Sequence, residues 1–204
     1  MDTVGRHLPE IALAAALAWG SGLRVYAVLL ALGLAGHFGW VELPQHLGML
    51  SHPLVIAASG LMTCVEFFAD KVPWIDSIWD AVHGFIRVPA GAALAAAVFA
   101  DSGAAAALAA TILGGSLAAG THLAKAGARA AINVSPEPVS NWAASFSEDG
   151  LVPLGLWLAF AHPLAFLLLL VLFVLAAALL ARALLRALAK LYSKGFTRSP
   201  PTGP

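Results

Sequence analysis

Nineteen consecutive residues, Pro163 to Ala181, carry no charged and no hydrogen-bonding side chain. A surface helix of a water-soluble fold keeps one polar face, so a run of this length has no place there. A bilayer supplies the place: about 20 apolar residues, rising about 1.5 Å each, cross its hydrocarbon core. Five further stretches read in the same way, at about Ile11–Gly36, Pro53–Asp70, Asp76–Ala100, Ala104–Ala131 and Asn141–Ala161. The expectation is an all-α, polytopic membrane helix bundle of about six transmembrane helices. The totals agree. Of 204 residues 60% are hydrophobic and only 11% charged, and the mean hydropathy is +0.86. Soluble domains carry about 25% charged residues.

Several classes are excluded at once. Net charge is zero, so no basic field is available for nucleic acid. The single Cys64 allows no disulfide within one chain and no multi-cysteine metal site. The start MDTVGRHLPE lacks the basic, apolar, small-residue order of a signal peptide, so the first apolar segment is expected to stay as a membrane helix. Residues 1–192 read as one membrane-embedded helical domain. Residues 193–204 are polar and Pro-rich and read as a disordered cytoplasmic tail. Pro53 and Pro163 each follow a His and suit the first turn of a helix, where the missing N–H costs nothing.

Lys and Arg in the connections set the orientation. Arg182, Arg186, Lys190, Lys194 and Arg198 lie towards the C-terminus, Lys71 lies between helices 2 and 3, and Lys125 and Arg129 precede the 4–5 connection. The other connections hold no Lys or Arg. That pattern places both termini on the cytoplasmic side of a multi-pass inner (plasma) membrane protein. A weak echo, VPAG at Val88–Gly91 and VPLG at Val152–Gly155, suggests two similar hairpins, helices 2–3 and 4–5, flanked by helices 1 and 6. Their cytoplasmic turns would be KVPW and SPEP.

Against this apolar background one island stands out. Between Glu66 and Arg87 lie Glu66, Asp70, Lys71, Asp76, Asp80, His83 and Arg87. Asp76, Asp80, His83 and Arg87 share one helix face by spacing, as do Glu66 and Asp70. His122, Lys125 and Arg129 share a face of helix 4, and Asn141, Ser145 and Glu148 one of helix 5. Counting along straight helices from their outer ends puts Glu66, Arg87 and Glu148 about 20 Å in, with Asp70, His83 and His122 about 26 Å in. Ionisable groups from several helices would meet in the inner half of the membrane. Each would cost about 2.5–3.5 kcal/mol facing lipid near the bilayer centre, so they should face one another or water. Arg24, mid-way along helix 1 and about 18 Å from either end, is too deep to snorkel and needs a carboxylate. Glu66 is the first choice. Gly20 and Gly22 beside it would let a neighbouring helix approach closely.

Structural readings compete with a site. Lys71, Asp76 and Asp80 fit a solvated interfacial turn. Glu66–Arg24 and Glu148–Arg87 fit ion pairs that fix helix register. His52 and His162, each beside a Pro, fit helix caps.

VEFFADKVPWIDSIWDAVH, GTHLAKAGARAAINVSPEPVSNW and the early GLRVY are familiar. They resemble a group of bacterial integral membrane proteins classed as domain-of-unknown-function family 4126. The resemblance runs from about Ser21 to Leu170. It implies a small multi-helix membrane protein and supplies no activity or catalytic residue.

Function must come from the residues. The first expectation is a transporter or channel for an ion or small solute, with the bilayer and that solute as its partners. Its ligand or ion site would comprise Arg24, Glu66, Asp70, Asp80, His83, Arg87, His122, Lys125 and Glu148. A divalent cation is the one cofactor that the residues suggest, held by Glu66, Asp70, Asp80 and His83. The alternatives are a metal-dependent membrane enzyme acting on a phosphorylated lipid and an assembly subunit of a membrane complex. ExxxD at 66–70 and DxxxD at 76–80 favour the enzyme only weakly, so the balance leans away from catalysis. Small-residue surfaces on helices 3 and 4 suit a homo-oligomer.

Overall fold

The computed structural model describes residues 2–133 and 138–196. Six α-helices follow one another: α1 Asp2–His37, α2 Pro53–Ala69, α3 Pro73–Val98, α4 Ala104–Asn133, α5 Pro138–Ala161 and α6 Pro163–Phe196. Short 3-10 turns at Gln45–Ser51 and Ala100–Ser102 precede α2 and α4. There is no strand among the described residues. The helix starts obey local chemistry. Pro53 and Pro163 open α2 and α6, and His52 Nδ1 accepts the Leu54 N–H at 3.2 Å, so His52 is the cap its position suggested. Gly103, at φ 98°, makes the turn into α4 in a region that favours glycine. α6 continues helically to Phe196, past the point where a tail was expected. Residues 197–204 lie outside the described residues, as does most of the SPEP turn, at 134–137.

α1 is not a straight rod. Arg24 takes extended dihedrals, φ −149° and ψ 84°, inside an otherwise helical segment. A Cβ on Gly20 would lie 2.8 Å from Val28 Cγ2. Residues eight apart are separated by about 12 Å along a straight helix and cannot meet in this way. The chain folds back at Arg24 into two arms, 2–23 and 25–37. Both arms lead to one end of the bundle. Ile11 and Ala15 in the first arm border a groove with Phe99 and Ala106, beside the α3–α4 turn. Gly33 and Gly36 in the second arm abut Leu50 and Ser51, and the 3-10 turn holding those residues is tied to the α3–α4 turn by His46–Asp101, 3.0 Å. Arg24 is therefore the tip of a helical hairpin, not the midpoint of a span.

This hairpin fills the middle of the bundle and packs against α2, α3, α4, α5 and α6. Helices 1 and 6 were expected to flank the others; α1 is instead central. Its Ala-rich first arm is thin enough for neighbours to close on every side, with Ala12, Ala16, Leu17 and Ala18 fully buried. Gly22 sits on α4, where an added Cβ would come 2.5 Å from Ala118 O. Trp19 fixes the outer helices, meeting Phe166 and Phe173 of α6 edge-on at 6.1 and 5.9 Å and Gly155 of α5. α3 packs along α4, whereas the expected hairpins α2–α3 and α4–α5 make little contact within each pair. α6 turns Leu168, Leu172, Leu175 and Leu179 outward, the apolar exterior of a membrane protein.

By length and composition alone, four segments, or five with one bent pair, qualify as spans among the described residues. The four are His7–His37, although it is folded back at Arg24, and Ile78–Val98, Ala104–Ile132 and Pro163–Arg186. α2 has 17 residues and reaches that standard only together with the preceding 3-10 turn, from which it is bent by 69°. α5 falls short because Glu148 and Asp149 interrupt it. Two termini on one face, the expectation from an even helix count, does not follow either. The first arm of α1 begins at the end bearing the α3–α4 turn. α6 runs alongside α4, with Leu184 near Gly127, and finishes at the other end.

Candidate functional site

At the tip of the α1 hairpin the polar stripes of five helices close on one another. Arg24, Glu66, Asp70, Asp76 and Arg87 are fully buried, and Asp80, Lys125 and Arg129 nearly so. All four members of the α3 stripe are buried, and three of them, Asp76, Asp80 and Arg87, enter the network. Arg87 carries the upper part of the network: Nη2 donates to Glu66 Oε1 and Nη1 to Asp80 Oδ1, both at 2.6 Å. Nη1 also lies 3.3 Å from His122 Nδ1. A guanidinium can only donate, so Nδ1 accepts and the His122 proton sits on Nε2.

The lower part is built on Arg24, Lys125 and Arg129. Arg24 Nη2 is 2.7 Å from Asp70 Oδ2 and donates to Ser145 Oγ at 3.0 Å, while Nε is 3.1 Å from Asp149 Oδ1 and 3.8 Å from Glu148 Oε2. Lys125 Nζ stands among four oxygens: Glu148 Oε2 at 3.1 Å, Asp80 Oδ1 at 3.3 Å, Asp70 Oδ2 at 3.4 Å and the Leu23 carbonyl at 3.3 Å. That carbonyl belongs to the last residue before the break in α1. The final carbonyls of a helix have no partner within it and form the negative end of its dipole, so they draw a cation. Arg129 reaches Glu148 Oε1 at 3.2 Å and the Asp70 carbonyl at 3.4 Å. Lys125 joins the two parts, because Asp80 is shared with Arg87. Exposure rises towards the α5 side, where the Asp149 side chain is 26% exposed, and at half-buried His122 on the upper edge.

Asp76 is the exception. It is fully buried, neither carboxylate oxygen has a hydrogen-bond partner, and the Arg129 Nη1 atom stands 3.9 Å from Oδ1. Burial pushes its carboxyl up to about 6, against the opposing pull of Arg129. Nearby, the Lys71 ammonium lies over the Phe67 ring and donates to the Phe67 carbonyl at 3.1 Å. Its own burial holds it below the usual lysine range, with Asp149 pulling the other way.

Several pairings differ from those expected. Arg24 takes Asp70, Asp149 and Ser145 rather than Glu66, because the fold-back carries it to the C-terminal end of α2, one turn beyond Glu66. Glu148 pairs with Lys125 and Arg129 rather than with Arg87. Asp76 and Asp80 are buried rather than part of a solvated turn. His83 leaves the network altogether. Its ring stacks on Trp79 at 3.9 Å and meets Tyr26 edge-on, and its Nδ1 is 2.9 Å from the Trp79 carbonyl. The expected metal set of Glu66, Asp70, Asp80 and His83 therefore does not assemble. A different set does: oxygens of Asp70, Asp76 and Asp80 all lie within 4.8 Å of one another. Arg24, Glu66, Asp70, Asp80, Arg87, Lys125 and Glu148 are brought together, and His122 touches the cluster at its upper edge. Asp149 was not anticipated at all, whereas Ser145, Asp76 and Arg129 were expected on the polar helix faces but not in the ligand site. Spacing held the signal for three of them: Asp76 precedes Asp80 by four, Arg129 follows Lys125 by four, and Asp149 follows Ser145 by four. The side chain of Asn141 lies outside the described residues.

No curated protein and no solved structure matches the chain. One family model does match, over residues 11–183, which is most of the sequence. The chain thus belongs to the family described as "Domain of unknown function (DUF4126)".

Proposed function

We propose that this protein is a small membrane transporter or channel for an ion or small solute, with the buried charge network as its translocation site. One observation carries the reading: a membrane-type helix breaks and folds back at Arg24, and the break lies inside a cluster of ten ionisable side chains from five helices. Broken helices whose free backbone ends face an ion or an ionic substrate are the usual construction of a transporter site. Ionisable groups buried in a membrane bundle mark ion or proton pathways more often than they serve as mere packing. The Lys and Arg distribution supports a cytoplasmic position for the network end, which opens through Asp149. α6 then ends on the cytoplasmic side and α1 begins on the opposite side.

The lipid-phosphate enzyme has less support. The cations that would grip a phosphate, Arg87, Lys125 and Arg129, are each already engaged by carboxylates. A purely structural role predicts that a carboxylate outside the hydrogen-bonded pairs can be neutralised without functional loss.

The test is flux in proteoliposomes, screening protons, monovalent and divalent cations and small anions. Saturable flux of at least one, reduced in Asp76→Asn while thermal stability is kept, is the expected result. Folded protein that passes none of them would overturn the reading.

A further inference from the structure

Among the described residues the network holds more carboxylates than fixed cations. Its carboxylates are Glu66, Asp70, Asp76, Asp80, Glu148 and Asp149, and its fixed cations are Arg24, Arg87, Lys125 and Arg129. Lys71 is directed at the Phe67 ring and carbonyl, and His122 accepts from Arg87. An uncompensated carboxylate in a dry interior is costly, so the cluster is built to take up further positive charge.

The shortage has a location. Asp70, Asp76 and Asp80 offer oxygens within 4.8 Å of one another, and all three residues are at most 4% exposed. Independently of that grouping, Asp76 brings two buried oxygens with no hydrogen bond, and Asp70 Oδ1 has none either. The Leu23 carbonyl at the broken end of the first arm accepts from the same Lys125 that contacts Asp70 and Asp80. We infer that Asp70, Asp76 and Asp80 form a binding site for a hard divalent cation, and that the Lys125 ammonium is the tethered cation which such an ion displaces from Asp70 and Asp80.

The donor set decides the class of ion. Carboxylate oxygens, with no imidazole or thiolate among them, suit Mg²⁺, Ca²⁺ or Mn²⁺ rather than a soft metal. Lys125 decides the behaviour. Its Nζ stands 3.4 Å from Asp70 Oδ2 and 3.3 Å from Asp80 Oδ1, longer contacts than those of Arg24 and Arg87 to the same two atoms, 2.7 and 2.6 Å, so it is the cation that an ion held by these carboxylates would displace first. A site of this kind releases its ion readily, because a replacement charge is always attached. That property suits passage rather than permanent storage. The inference names the cargo class for the transport reading and rests on it only for that last step.

Mn²⁺ is the probe, since its EPR signal reports bound metal directly. Purified protein in nanodiscs at neutral pH should bind one Mn²⁺ per chain, with competition by Mg²⁺ or Ca²⁺. Asp76→Asn should weaken binding by about tenfold or more, a loss of the size seen when groups supporting a metal are removed. Lys125→Met should bind more tightly, and its thermal unfolding midpoint should fall in chelator and recover in Mn²⁺. Absence of bound Mn²⁺ in the wild type overturns the site without any variant, so a variant that fails to fold cannot rescue it. Equal affinity in Asp76→Asn overturns the ligand assignment, and a Lys125→Met chain that Mn²⁺ does not restore overturns the displacement. Flux without Mn²⁺ binding leaves the transport reading standing and removes this site. Binding without flux of any cation does the reverse.

Discussion

The two halves of the bundle use the same central helices, α1, α3 and α4, and hold them together by opposite means. In the half near the α3–α4 turn contact is made by shape. Ala18 faces Gly91 and Gly114, Ala95 crowds Gly114, and none of the described residues there buries a charge. In the half around Arg24 contact is made by charge, through groups as large as arginine and as costly to bury as aspartate. Small residues let backbones approach and gain dispersion over their whole length, which in lipid substitutes for the hydrophobic effect. Charged residues gain only where every partner is in place. The first half can tolerate losing one contact; the second holds mutually dependent groups. A rigid anchor joined to an interdependent polar centre is a suitable frame for a site.

Removing a charge from the dependent half should have the largest effect. Arg87→Met leaves Glu66 and Asp80 buried without their 2.6 Å partner, and about 3–5 kcal/mol of stability should be lost. Adding Glu66→Gln and Asp80→Asn should return much of it, because the damage comes from uncompensated charge rather than from missing volume. Denaturation of the single and triple variants in one detergent measures both. A triple variant no more stable than the single would mean that this half, too, is held by shape.

The anchored half should respond to crowding. A Cβ on Gly114 would fall 2.5 Å from Ala95 Cβ and 3.1 Å from the Gly91 carbonyl. Gly114→Ala must therefore push α3 and α4 apart, at about 1–3 kcal/mol. The loss should be the same at low and high salt, unlike a loss from the charged half, and thermal unfolding at both salt concentrations checks it.

Asp76 separates the halves by pH. Its carboxyl is raised from 3.8 to about 6 in the folded chain, by burial. Between those values the folded state holds more protons than the unfolded one, so stability falls as pH rises through that window. The slope is opposite to that of an acid stabilised by a salt bridge. In chelator, Asp76→Asn should flatten the decline between about pH 4 and pH 6 and be the more stable chain at neutral pH. A variant whose pH profile follows the wild type would place the decline elsewhere in the network.

Much of the helical layout could be read from the residues, and the reason is local. Pro53 and Pro163 mark helix starts through their own geometry, and the i, i+4 stripes on α3 and α4 put their charges on one face whatever surrounds them. The fold-back at Arg24 could not be read. Nothing in GSGLRVY prohibits a straight helix, and the extended dihedrals at Arg24 are open to any residue. They are held by what packs around them: α4 against Gly22, and the carboxylates of α2 and α5 around the guanidinium. The pairing errors follow from that single miss. Counting depth along a straight α1 put Arg24 level with Glu66, whereas the hairpin tip sits one turn further, at Asp70. Asp76 was misjudged for a related reason. Proximity to the turn at Lys71 suggested solvent, but α4 extends past that turn and carries Arg129 over it.

The smallest effect is expected at His46–Asp101, and it calibrates the rest. The geometry is as good as that of several buried pairs, with 3.0 Å between Nε2 and Oδ1, and it ties the same two turns that the outer half packs around. The difference is water. The two side chains are 48% and 70% exposed, so solvent screens their attraction and already solvates each group alone. Exposed pairs contribute about 0–1 kcal/mol, and Asp101→Asn should change stability by no more than about 0.5 kcal/mol. Loss of Arg87, whose 2.6 Å contacts are nearly dry, should exceed it severalfold. Equal effects at the two places would mean that water reaches the Arg24 half as freely as it reaches the surface. The interdependence argued for that half would then disappear, because each carboxylate could be neutralised or removed on its own.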